Sequence, residues 1–165
     1  MKIFIKFLKI IFLYFIYVGC ISAEEPIPVD IISDEMQWDD NKKIAYAIGN
    51  AEATQGQRKI TADKLIVHLE KNKNNNEIIL IKASGNVIFT TKDEIATGKI
   101  ATYDFVKNNI ILENNVTLKK NDNIMKGEFL EMDLTTGISQ INNKTDTNRV
   151  RMRFTPKKND EQNNE

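Results

Sequence analysis

From Glu24 onward, apolar residues fall in short alternating sets and not at helical spacing. Leu65/Val67/Leu69, Val87/Phe89, Ala101/Tyr103/Phe105, Val116/Leu118 and Leu130/Met132/Leu134 are examples. Asn-, Lys-, Asp- and Gly-rich pieces separate them, at 39–43, 71–76, 107–109 and 121–123. Period-two runs bounded by turn residues predict half-buried strands joined by short turns. No stretch of this region has the 3.6-residue periodicity of an amphipathic helix.

The runs repeat one another. A small residue, a charged residue, and apolar side chains three and five positions on recur four times. They are Ser33-Asp34-x-Met36-x-Trp38, Ala62-Asp63-x-Leu65-x-Val67, Gly98-Lys99-x-Ala101-x-Tyr103 and Gly127-Glu128-x-Leu130-x-Met132, starting 29, 36 and 29 residues apart. Between them lies a second signature, Asn followed by apolar residues at +1 and +3, at Asn50, Asn86 and Asn115. Each of these Asn residues precedes the next small residue by 12 positions. The longer middle unit places its extra residues in the polar 71–76 turn, where insertion is tolerated.

Apolar parity flips across the small residue: Ile60 and Ala62 precede it, Leu65, Val67 and Leu69 follow. Met125 and Gly127 stand in the same relation to Leu130, Met132 and Leu134. A one-residue slip turns a strand inside out, so a consistent slip predicts a bulge or corner at Ser33, Ala62, Gly98 and Gly127. The expected fold is all-β: repeated antiparallel strands, each bent, enclosing an apolar interior as in a jelly roll. A parallel β-solenoid is the structural alternative. Ala45, Ala47, Ala51, Ala53, Ala83 and Ala101 suggest an interior with room left in it.

Residues 1–23 read as an address. Lys2, Lys6 and Lys9 precede an apolar run from Ile10 to Val18, and small residues follow at Gly19, Ser22 and Ala23 before Glu24-Glu25. That is the build of a secretory signal cleaved after Ala23. An uncleaved span from Ile3 to Ala23 and a weak lipobox at Tyr17-Val18-Gly19-Cys20 are the competing readings. All three place residues 24–156, the expected domain, outside the cytoplasm. The polar end, 157–165, reads as a disordered tail.

Composition narrows the function. The chain has 23 basic and 23 acidic residues, a formal charge of zero. With the three N-terminal lysines set aside, 20 basic face 23 acidic groups, so a basic footprint for nucleic acid is missing. Cys20 is the sole cysteine, which excludes an intramolecular disulfide and a cysteine-based zinc site. His68, the sole histidine, alternates with Val67 and Leu69 and so points outward. No catalytic set, metal site or cofactor is expected. Asp34 and Asp63 recur at equivalent positions, where a corner role through side-chain hydrogen bonds outweighs catalysis. Arg149, Arg151 and Arg153 alternate with Val150, Met152 and Phe154. Such a strand has one basic face, suited either to blunting a sheet edge or to meeting phosphates or an acidic partner.

These units, the Asp133-Leu-Thr-Thr-Gly137 turn and the closing Arg149-Val-Arg-Met-Arg-Phe-Thr-Pro156 resemble the OstA-like family, in its LptA branch, over roughly Pro28 to Pro156. The resemblance implies a twisted β-jelly roll, open at both ends, in a non-enzymatic periplasmic protein that binds lipopolysaccharide and bridges the inner and outer membranes. It implies an apolar groove for lipid A acyl chains lined by Val29, Ile31, Met36, Trp38, Leu65, Val67, Phe89, Tyr103, Phe105, Leu130 and Met132. The register of Phe89 is the least certain of these, and ordinary core packing is the competing role for each. Ile32, Arg149, Arg151 and Arg153 mark the implied partner edges. The implied partners are an LptC-like inner-membrane anchor, an LptD-like outer-membrane protein and further copies of the chain, end to end. Within the same pathway, a membrane-anchored LptC-like protein is the nearest alternative. An exported β-solenoid glycan-active enzyme is a remote one.

Overall fold

A computed structural model describes residues 27–71, 76–143 and 149–155. The expected signal segment and polar tail lie outside the described residues. Ten strands follow in order: β1 (Asp30–Ile32), β2 (Glu35–Asp39), β3 (Ile44–Gln55), β4 (Arg58–Lys71), β5 (Asn76–Thr90), β6 (Glu94–Asp104), β7 (Asn109–Lys120), β8 (Asn123–Asp133), β9 (Ser139–Asn142) and β10 (Arg151–Arg153). They form one sheet in the order β1-β3-β4-β5-β6-β7-β8-β10, with β2 on β3 and β9 on β8. Every pairing is antiparallel, which excludes the parallel solenoid.

The sheet is bent across its middle into two arms. One contains β2, the first part of β3, the second part of β4 and their continuations to β9. The other runs from β1 to β10. Register shifts mark the fold line, between Ile48 and Ala51 on β3, Thr61 and Lys64 on β4, Ser84 and Val87 on β5, Thr97 and Ile100 on β6, and Glu113 and Val116 on β7. Those intervals contain Ala62 and Gly98, two of the small residues that predicted corners.

The second signature has its explanation here. Gly49-Asn50, Gly85-Asn86 and Asn114-Asn115 each place two consecutive residues at positive φ, between 43° and 77°. Gly and Asn are the residues that tolerate this region. Two such residues on β3, β5 or β7 face a single residue on the neighbouring strand, Asp63, Lys99 or Glu128. The extra residue bends the odd-numbered strand without changing its parity. The even-numbered strand takes the one-residue slip. Ala47/Ala51/Ala53 therefore stay in phase while Ala62 and Leu65 do not.

Carboxylates close these corners. Asn50 donates from Nδ2 to Asp34 Oδ2 at 2.9 Å, and Asn86 to both carboxylate oxygens of Asp63 at 3.0 and 3.1 Å. At the third corner, where Lys99 stands in the Asp position, the Asn115 N–H donates instead to Glu128 Oε2 from the other side, at 3.2 Å.

The two arms bury one continuous apolar core. In the first arm, one row of opposed residues runs Met36, Ala47, Leu65, Ala83, Ala101, Leu112, Leu130, Ile141. In the second it runs Ile31, Ala53, Ile60, Phe89, Ala96, Leu118, Met125, Met152. The alanines are interspersed among large residues, with Ala83 facing Ala101. Ala47, Ala51, Ala53, Ala83 and Ala101 are buried, and Ala45 packs partly buried against them. They are part of a filled interior and not the walls of a spacious one: thin side chains let the opposing arm close to van der Waals contact.

Candidate functional site: an apolar interior with two open edges

The expected groove residues separate into two groups. Leu65, Val67, Phe89, Tyr103, Leu130 and Met132 are buried in the middle of the core. Phe89 points inward, opposite Ile60 and Ala96, which settles its register. Val29, Ile31 and Phe105 pack partly buried against that core. Met36 and Trp38 differ. Their partners across the ladder, Ala47 and Ala45, place them on the inward face, yet they are 56% and 49% exposed. Edge strand β2 carries this stretch of inner face past the point where the other arm covers it.

The opposite edge repeats that situation. Met152 continues the inward row beyond Met125 and is 55% exposed, with exposed Phe154 beside it. The apolar face therefore reaches both edges of the sheet. Within the jelly roll, the space beside Tyr103 and Phe105 is about 10 Å³. Phe89 meets Tyr103 edge-on with ring centres 5.8 Å apart, and Phe105 stacks on Tyr103 at 4.1 Å. The Phe89–Tyr103 contact joins the arms, because Phe89 belongs to one and Tyr103 to the other.

The basic edge is also arranged by register. Arg151 and Arg153 lie opposite Lys126 and Ile124, on the face away from Met152. Arg149 precedes β10, and with Arg151, Lys126, Glu128 and Asn143 it lines an outer cleft of about 390 Å³ at the last corner. Asn143 accepts the Glu128 N–H at 3.0 Å. Ile32 is exposed on β1 at the other edge. The structure thus does not gather the predicted residues into one pocket. It distributes them between a packed core and two separated edges.

Arg58 carried no sequence signal and is part of the site. Its guanidinium crosses from one arm to the other. Nη1 donates to Tyr103 Oη at 3.1 Å and to Asn108 Oδ1 at 2.8 Å, and Nη2 to the Leu134 carbonyl at 3.2 Å. The Tyr103 hydroxyl in turn donates to Gln55 at 3.3 Å. A lone Arg beside a hairpin turn is indistinguishable in sequence from a solvated one.

The family model for LptA/(LptD N-terminal domain) LPS transport proteins matches residues 30–138, from β1 to the turn before β9. The chain belongs to this family. It is accordingly a lipopolysaccharide-transport protein and not an enzyme. A solved structure of LptH from Pseudomonas aeruginosa shares the fold, with a TM-score of 0.70 over 79% of this chain and 96% of that one, at 21% identity. That protein is described as the LptA-homologous periplasmic component of the conserved lipopolysaccharide transport device. No curated protein sequence matches. Within this family the open jelly roll read from the repeat is the architecture found here, an antiparallel sheet that does not close on itself.

Proposed function

We propose that the protein is a periplasmic segment of a lipopolysaccharide bridge between the two membranes. It shields lipid A acyl chains against its inward face and joins its neighbours edge to edge. The observation that carries this reading is the apolar inner face that reaches both edges, ending at Met36 and Trp38 on one side and Met152 on the other. Acyl chains cannot cross water exposed, since each buried methylene is worth about 0.8 kcal/mol. An inner face that continues from one copy to the next would keep them covered along the whole path.

The strand directions suit such a junction. β10 runs away from the corner and β1 towards it; β9 runs towards the corner and β2 away from it. Setting β10 of one copy beside β1 of the next, and β9 beside β2, preserves antiparallel alternation in both arms. This is edge-strand addition. Extending the existing rows places Met152 opposite Ile31, Arg153 opposite Asp30 and Ile141 opposite Met36. The junction would cover the exposed apolar side chains and match a basic edge with an acidic one. An LptC-like anchor and an LptD-like protein of related fold would take the same edges at the two ends of the bridge. Export by the cleaved 1–23 segment belongs to this reading, and the LptH description supports the compartment.

Photocrosslinking amino acids at Met36, Trp38 and Met152 test it in cells. Lipopolysaccharide adducts at these positions, with none at the outward Thr102 and Asp104, are expected. Adducts only at the outward positions would reject the groove. A mature N-terminus at Glu24 separates the soluble segment from an LptC-like membrane-anchored one.

A further inference from the structure

Arg58 stands where a cleft at the tips of the two arms meets the apolar interior. The cleft measures about 350 Å³; besides Arg58 its charged lining is Lys92 and Lys120 against Asp93, Glu94 and Asp133, with Met132 and Leu134 on the side of the other arm. Arg58 lines this cleft and also the small apolar space beside Tyr103 and Phe105. Arg58 therefore borders both. It is half-buried, and its acceptors are a phenol, an amide and a backbone carbonyl, all neutral. Two neighbouring cations have acids: Lys120 pairs with Glu94 at 2.8 Å and Lys59 with Glu52 at 3.3 Å. A half-buried cation held by neutral acceptors has lost water without gaining a counter-charge.

We infer that Arg58 is both the latch of this mouth and its contact for an anionic headgroup. In the empty protein the guanidinium ties Asn108, Leu134 and Tyr103 of one arm to the hairpin end of the other and closes the interior to water. When acyl chains enter and part the arms, the fork exchanges its neutral acceptors for a phosphate at the head of the lipid. The exchange is favourable because charge-assisted bonds to phosphate are bidentate and roughly twice as strong as neutral ones. The inference rests on the lipid-carrier reading and adds to it a point of entry and a preference for phosphorylated lipid.

The test compares the protein with its Arg58→Gln, Arg58→Lys and Asn108→Ala variants, each checked for unchanged strand content. The probes are lipid A with its phosphates, the same lipid after phosphatase treatment, and an apolar dye. Asn108→Ala keeps the charge and weakens the latch, so dye uptake is faster and affinity for phosphorylated lipid is retained. Arg58→Gln also speeds dye uptake, but it lowers affinity for phosphorylated lipid about tenfold and leaves the dephosphorylated lipid unaffected. Arg58→Lys recovers part of that loss. If Arg58→Gln weakens both lipids equally, or neither, the headgroup contact is overturned. If none of the variants changes dye uptake, the latch is overturned. Failure of the unaltered protein to bind either lipid rejects the carrier reading itself, while dye uptake still reports on the latch.

Discussion

Asp63 on β4 receives the side-chain amide of Asn86 on β5 with both carboxylate oxygens, at 3.0 and 3.1 Å, across the fold line of the sheet. Gly85, next to that Asn, has φ +77° and turns its α-carbon towards the same carboxylate, so a Cβ there would collide with it. The corner is thus one unit: an acid on one strand, and a Gly-Asn pair at positive φ on the next.

Gly85→Ala should destabilise the protein by about 2 kcal/mol, from strain at positive φ added to the collision with Asp63. Asp63→Ala removes exposed hydrogen bonds and should cost about 1 kcal/mol. In the double variant the collision is gone, so the combined loss should be smaller than the sum. Thermal unfolding of the four proteins measures that coupling; simple additivity would separate the two residues.

Ala101 lies in the core opposite Ala83 and Leu112. Because the interior is filled, Ala101→Leu should cost about 1–3 kcal/mol through overpacking. Leu112→Ala should cost about 2–5 kcal/mol by leaving a cavity. Denaturant titration decides the point. An interior with spare room would accept the added leucine at no loss.

Trp38 is the only tryptophan, so its fluorescence reports on the β2 edge. Emission should move to the blue as concentration rises and copies join. Asp30→Lys should weaken that association about fivefold by replacing an attractive exposed pair with a repulsive one. Adding Arg153→Glu should restore it. Restoration by Arg149→Glu and not by Arg153→Glu would rule out the proposed junction register.

His68 has a pKa below its ordinary value of 6.5, chiefly because burial disfavours the charged ring and secondarily because Lys82 lies near. With the folded value depressed, the unfolded chain binds the proton first as pH falls. Stability is full above about pH 6.5 and declines below it until the folded pKa is passed. His68→Gln should flatten that decline. A second loss at lower pH should survive the substitution. Asp104 and Asp133 have lowered pKa values mainly because backbone N–H groups, of Lys107 and of Thr136 respectively, donate to them. Their contribution is present above the unfolded value of 3.8 and is lost as pH falls through the depressed folded values. Unfolding midpoints from pH 8 to 3 would show both steps.

Much of the corner architecture was legible because covalent preference and periodicity both record it. The parity slip across Ala62 required a bend, and the constant spacing to Asn50, Asn86 and Asn115 required a second participant. That the second participant is a pair at positive φ emerged only with the neighbouring strand in place, since an Asn is as ordinary in a turn as in a corner. The alanines misled for a related reason: a thin side chain leaves room or permits close approach, depending on what faces it. Met36 and Trp38 were assigned to the correct face, but their exposure depends on where the opposing arm stops.

The sequence by itself determined the strands, their bends, the inward set and the family, because period, parity and turn chemistry are local along the chain. Tertiary structure decided what the inward face encloses. Closing the arms packed the middle of the core and left apolar side chains bare at the edges, where no further strand among the described residues covers them. It also brought Arg58 against Tyr103, Asn108 and Leu134, residues 45, 50 and 76 positions away. Separations of that length leave no periodic trace, so only the fold could show that this cation meets these acceptors.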